Sequence, residues 1–139
     1  MPSLYKTIVY NYSMPDYTII NLHELENMAL KYSHDKDMEA RFATKPLGLQ
    51  KSGLGIQKVL PGRKIPFKHK HEEQEEVIII VAGNGKIELD DEIIELKTWD
   101  AVRVSPEVIR TVEAGPDGIE IIIVGALYAG TNDAVIIHP

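Results

Sequence analysis

Ile65-Pro66-Phe67-Lys68-His69-Lys70-His71, followed by Glu72-Glu73-Gln74-Glu75-Glu76-Val77-Ile78-Ile79-Ile80-Val81-Ala82-Gly83, is the stretch whose reading decides the fold. With the two-residue period of a β-strand, Ile65, Phe67, His69 and His71 share one face, and Lys64, Lys68 and Lys70 take the other. The apolar pair marks the interior, so both imidazoles turn inward while the lysines stay in water. Glu76 opens the next strand and shares its face with Ile78 and Ile80. A slip of one residue would bring Glu75 inward instead. Glu76 is preferred because it leaves Val77, Ile79 and Val81 together on the opposite face. Two imidazoles and a carboxylate, His69, His71 and Glu76, form a ligand set suited to divalent Fe, Mn, Ni, Zn or Cu.

Outward from this stretch, nearly all the isoleucine and valine lies from Leu54 onward, in short runs divided by Gly, Pro, Asn or Asp. That pattern predicts strands near Leu54–Leu60, Ile65–His71, Val77–Ala82, Lys86–Leu89, Ile93–Leu96, Ala101–Val104, Ile109–Glu113 and Ile119–Leu127. The fold class is all-β, a small antiparallel barrel or two-sheet sandwich. Gly83-Asn84-Gly85 and Asp90-Asp91 read as hairpin turns, since these residues tolerate positive φ. The first third differs: Asn21 with Glu24 forms a capping pattern, and Leu22, Leu25, Met28 or Ala29, and Tyr32 recur at helical spacing. A short helix is expected there. Met1–Tyr17 reads as an arm that either adds a strand or crosses to a partner subunit. Residues 1–50 thus form an arm and partly helical segment packed on the barrel, 51–130 the barrel itself, and 131–139 a C-terminal tail.

At 139 residues the chain holds one domain with a real core. It contains no cysteine, which removes disulfides, thiolate metal sites and cysteine nucleophiles together. A net charge of −6 and a pI near 5.3 disfavour nucleic acid as a partner. No stretch is long and apolar enough to span a bilayer, and no secretion signal opens the chain, so no membrane partner and a cytoplasmic location are expected. No serine lies in a nucleophile elbow, and Gly53-Leu54-Gly55 lacks the rest of a phosphate loop.

Gly62, His69-x-His71, Glu76 and Gly83 resemble the first motif of the cupins, with one extra residue between the glycine and the first histidine. The likeness runs from about Gly53 to Leu127. It implies a single-domain jelly-roll barrel (a double-stranded β-helix, cupin 2 type) with metal ligands at His69, His71 and Glu76. Asp100 to Arg110 is similar to the second motif, but Trp99 stands where a glycine is usual and Arg110 where a third metal histidine belongs. The resemblance therefore implies a divalent metal (Fe, Mn, Ni or Zn) whose ligand set is incomplete. Glu73–Val77 and Trp99–Val104 further resemble a poorly characterised subgroup of small bacterial cupins, which brings no reaction with it.

A guanidinium ligates no metal and stays protonated, so Arg110 either grips a ligand carboxylate or pairs with Glu76 in an empty barrel. Gln57 and Arg103 lie on predicted strands and are further candidates for ligand contact, whereas Trp99 is expected to cover a barrel end. His23, His34 and His138 read as surface residues. A metal-dependent oxygenase, isomerase or decarboxylase, a metal-free small-molecule-binding module, and a dimerising scaffold all suit this constellation. Because Val77, Ile79 and Val81, like Ile121 and Ile123, are apolar on strands whose other face is also apolar, a homodimer is expected.

Overall fold

One strand, β4 (Glu76–Leu89), runs unbroken through Gly83-Asn84-Gly85, where the composition predicts a turn. The glycines serve close packing instead. Gly83 has φ +71, and a Cβ there would lie 2.0 Å from the carbonyl oxygen of Gly118; at Gly85 it would lie 2.1 Å from that of Glu113. No side chain fits either contact, so β4 lies against β7 (Arg110–Ala126) through two breaks in register, at Ile80/Ala82 and Gly83/Gly85. Likewise β7 is a single strand where two are predicted, continuing through Gly115-Pro116-Asp117-Gly118.

These two long strands curl the sheet. The computed structural model describes residues 16–126 and 133–138. The first half of β4 pairs with β6 (Ala101–Val104), and its second half with β5 (Glu92–Lys97) across the expected Asp90-Asp91 turn. The later residues of β7 pair with β2 (Ser52–Val59), beyond which lies β1 (Met38–Phe42). β3 (Lys68–His71) meets the start of β7 at His69 and Arg110, with β8 (Ala134–Ile137) on its other edge. Every strand pairing among the described residues is antiparallel, and the product is a jelly-roll barrel. Met38, Val59, Ile78, Ile80, Ile87 and Ile121 fill it, all almost fully buried. Each such side chain contributes roughly 1.5–3 kcal/mol.

Two strands among the described residues have no counterpart in the sequence pattern. β1 alternates Met38 and Ala40 inward with Glu39 and Arg41 outward, but it contains no β-branched residue. β8 falls within the segment read as a tail. The predicted helix is replaced by two 3-10 turns, Leu22–Glu24 and Met28–Tyr32. Asn27 explains the break: its side-chain oxygen accepts from the amides of Ala29 (3.1 Å) and Ala40 (3.0 Å), capping a second turn and tying it to β1. One α-helical turn, α1 (Thr44–Leu47), ends at Gly48. No helix among the described residues is long and apolar enough to cross a membrane. The arm predicted over Met1–Tyr17 falls almost wholly outside the described residues.

Candidate metal centre

The strand period carries through at the barrel mouth. Lys68 reaches outward to Glu88, 2.5 Å away, while His69 and His71 turn in, 20% and 4% exposed in their side chains. Their rings meet edge-on, with centroids 5.1 Å apart. Glu76, at the start of β4 opposite Val104 and Gly125, faces both of them. Its Oε1 lies 3.7 Å from His69 Nε2, and its Oε2 lies 3.2 Å from His71 Nε2. The three donor atoms lie within 4.8 Å of one another. Glu75 points the other way, 61% exposed, so the register places Glu76 inside.

Arg110 sits across the ladder from His69, 1% exposed. Its Nη1 donates to the carbonyls of Pro106 (3.1 Å) and Val108 (2.9 Å), and its Nη2 approaches Glu76 Oε1 at 3.3 Å. A fifth residue joins the cluster without any advance signal. Asp133, just before β8, places Oδ1 2.8 Å from His71 Nδ1, while its Oδ2 accepts from the amides of Glu73 (2.5 Å) and Gln74 (2.8 Å).

Burial alone would raise the Glu76 carboxyl, but His69, His71 and Arg110 overcome it and hold the group at about 2. Asp133 is also at about 2: burial opposes this, and the Glu73 amide, His71 and the Gln74 amide outweigh it. Burial lowers the His71 pKa, yet Glu76 and Asp133 more than offset that and raise it. The signs follow from linkage. The two depressed carboxylates stabilise the folded chain fully above their ordinary values of 4.5 and 3.8, and that stability is lost as pH falls toward 2. The raised histidine stabilises it fully below 6.5, and that contribution is lost as pH climbs through the raised value. Thermal melts in chelator should therefore peak at roughly pH 5–6 and fall on both sides. A plateau reaching down to about pH 2 would mean that these pairs do not form in solution.

The cupin domain model matches residues 55–124, half of the chain, and spans β2 to β7. The chain is a cupin. Among solved structures, a cupin protein from Bacteroides fragilis is 24% identical, with a TM-score of 0.66 over 85% of this chain and 89% of its own. A double-stranded β-helix protein from Klebsiella pneumoniae is 14% identical, with a TM-score of 0.68 over 89% and 100%. The oxalate decarboxylase of Bacillus subtilis is 16% identical, with a TM-score of 0.70 over 88% of this chain and 33% of its own. At these identities the likeness carries the fold alone. No curated protein matches the chain.

The donor set of this cupin fits a divalent cation. His71 Nε2 and Glu76 Oε1 are buried with no hydrogen-bond partner among the described residues, and a cation would satisfy both. Not every residue singled out in the sequence reaches them. Arg103 pairs with Val77, one position off the inward row of Glu76 and Val104, so it lies outside, 64% exposed, near Glu75 and bonded to Ser105. Gln57 faces inward beside Ala40 and Ile121, two inward positions along β7 from the Gly125 that opposes Glu76. Trp99 is 76% exposed at φ +75, its amide held by the Ile80 carbonyl at 2.7 Å, so its ring stands in solvent and not over the barrel end that the sequence predicts it to cover.

Proposed function

We propose that this cupin holds one divalent metal on His69, His71 and Glu76 and a small oxygenated anion beside it on Arg110. The observation that carries this reading is how the buried atoms without partners sort. His71 Nε2 and Glu76 Oε1 offer lone pairs, which a cation satisfies. Arg110 Nε and Nη2 are donors, which only an acceptor satisfies. Charge agrees. A divalent cation and one guanidinium against the carboxylates of Glu76 and Asp133 leave the cluster one unit positive, room for one carboxylate-like anion. The metal, when bound, supplies a Lewis acid that polarises a ligand oxygen. Arg110 orients the anion, and burial keeps water from competing.

A metal-free binding module is the second reading, favoured by the Arg110–Glu76 pair at 3.3 Å, which gives each of these two charges a partner without a cation. Arg110→His separates the two. It removes a repulsive charge and adds an imidazole, so calorimetric titration with Mn(II), Ni(II) or Zn(II) should show at least ~10-fold tighter binding, about 1.4 kcal/mol, with weaker binding of small carboxylates. Unchanged metal affinity in the variant would count against a metal beside Arg110.

Two copies pairing through the outer face of β2, β7 and β4 belong to the same proposal. Leu54, Ile122, Val124, Val77 and Ile79 form a stripe there, with Val124 36% exposed. Light scattering at micromolar concentration should give twice the 15.6 kDa chain mass, and a monomer mass would remove the pairing.

A further inference from the structure

Asp133 enters the mouth from a segment that is remote in sequence, 62 residues beyond His71. Its carboxylate is held at three points: Oδ1 at His71 Nδ1, and Oδ2 at the amides of Glu73 and Gln74. The backbone fixes it too, since the Glu72 amide donates to the Asp133 carbonyl at 3.3 Å and Ala134 pairs with His71. Only 9% of the Asp133 side chain and 4% of the His71 side chain are exposed, so water does not loosen the contact. Both ring nitrogens face carboxylates, which accept and never donate. Nδ1 is the closer, 2.8 Å from Asp133 against 3.2 Å from Nε2 to Glu76, and Nε2 makes no hydrogen bond among the described residues, so Nδ1 of a neutral His71 is the N–H nitrogen. The lone pair is then on Nε2, the nitrogen that faces Glu76.

We propose that Asp133 is a positioning residue that fixes His71 in the one tautomer able to ligate through Nε2, which makes the segment leading into β8 a working part of the site. The inference rests on the metal reading for its purpose, but its geometry is that of the metal-free chain. A mere staple for β8 would act through the Glu73 and Gln74 amides alone and leave the imidazole free to choose. Asp133→Asn distinguishes the two. With its oxygen kept on the Glu73 and Gln74 amides, the asparagine turns an N–H toward Nδ1, which drives the proton to Nε2 and blocks ligation there.

The test is long-range nitrogen–proton NMR of His71 in chelated protein, well above the ordinary histidine pKa, followed by titration with Zn(II). Wild type should show the Nδ1–H tautomer and Asp133→Asn the Nε2–H tautomer, with Zn(II) binding weakened by ~10–100-fold in the variant and partly restored in Asp133→Glu. A wild-type Nε2–H tautomer, or the same tautomer in Asp133→Asn, overturns the inference. The wild-type spectrum can do so even if the variant fails to fold. Tautomer control without Zn(II) uptake by wild type would sustain the positioning role and overturn the metal reading.

Discussion

Glu76→Ala is expected to destabilise the metal-free protein by about 3–5 kcal/mol, because it leaves a buried guanidinium without its carboxylate. Arg110 is 1% exposed, and its other partners are two backbone carbonyls, which do not neutralise it. In a chain of this size the loss is a fall in melting temperature of roughly 10 °C. Replacing both members, Glu76→Gln with Arg110→Met, should recover most of it, since two neutral groups of similar shape strand no charge. Urea unfolding in chelator of wild type, Glu76→Gln, Arg110→Met and the double variant gives the coupling directly, with Glu76→Ala measured beside them. A loss below ~1 kcal/mol for Glu76→Ala would mean that Arg110 finds solvent or another acid in solution.

Stoichiometric metal should disappear from the His69→Ala/His71→Ala double variant. Groups that merely orient a ligand change metal affinity by ~10–100-fold, so removing two direct ligands costs no less than ~100-fold together. His71 is 4% exposed and paired with both Glu76 and Asp133, so circular dichroism of the same preparation must show the double variant folded. Elemental analysis of protein prepared without an affinity tag checks the content, and dialysis against Mn(II), Ni(II) and Zn(II) in turn checks the capacity. Metal retained by the double variant at the wild-type level would move the site elsewhere. A wild type that retains none of the three would reduce the cluster to an ion-pair network.

The fold and three residues of the candidate site were legible because their signals are local. His69, His71 and Glu76 fall within eight positions of chain, and a period of two fixes which way each points once Ile65 and Phe67 mark the interior. Glycine was harder to read. At Gly83 the same absence of a side chain that permits a turn also permits two backbones to touch, and only the partner strand decides between them. Arg103 shows a further limit: membership of a strand is visible in composition, but its face depends on pairing with Val77. Asp133 carried no signal, because its partner is distant in sequence and no spacing rule joins them. β1 was hidden for a third reason, since Met38, Ala40 and Arg41 have weak strand preference and owe their conformation to β2.

The placement of Arg110 changes what holds the barrel shut. A third histidine at that position would let a metal cross-link β3 and β4 to β7, closing a long loop of chain. Here the three donors sit on β3 and at the start of β4, so a bound metal closes only the short connection between them, and an unfolded chain presents the same donors nearly as close together. A metal bound there would gain little from closing that loop, and its preference for the folded chain would rest on the orientation that Asp133 gives His71. The long-range clasp passes to the Arg110–Glu76 ion pair, which exists without metal. The barrel is thereby closed before any metal arrives.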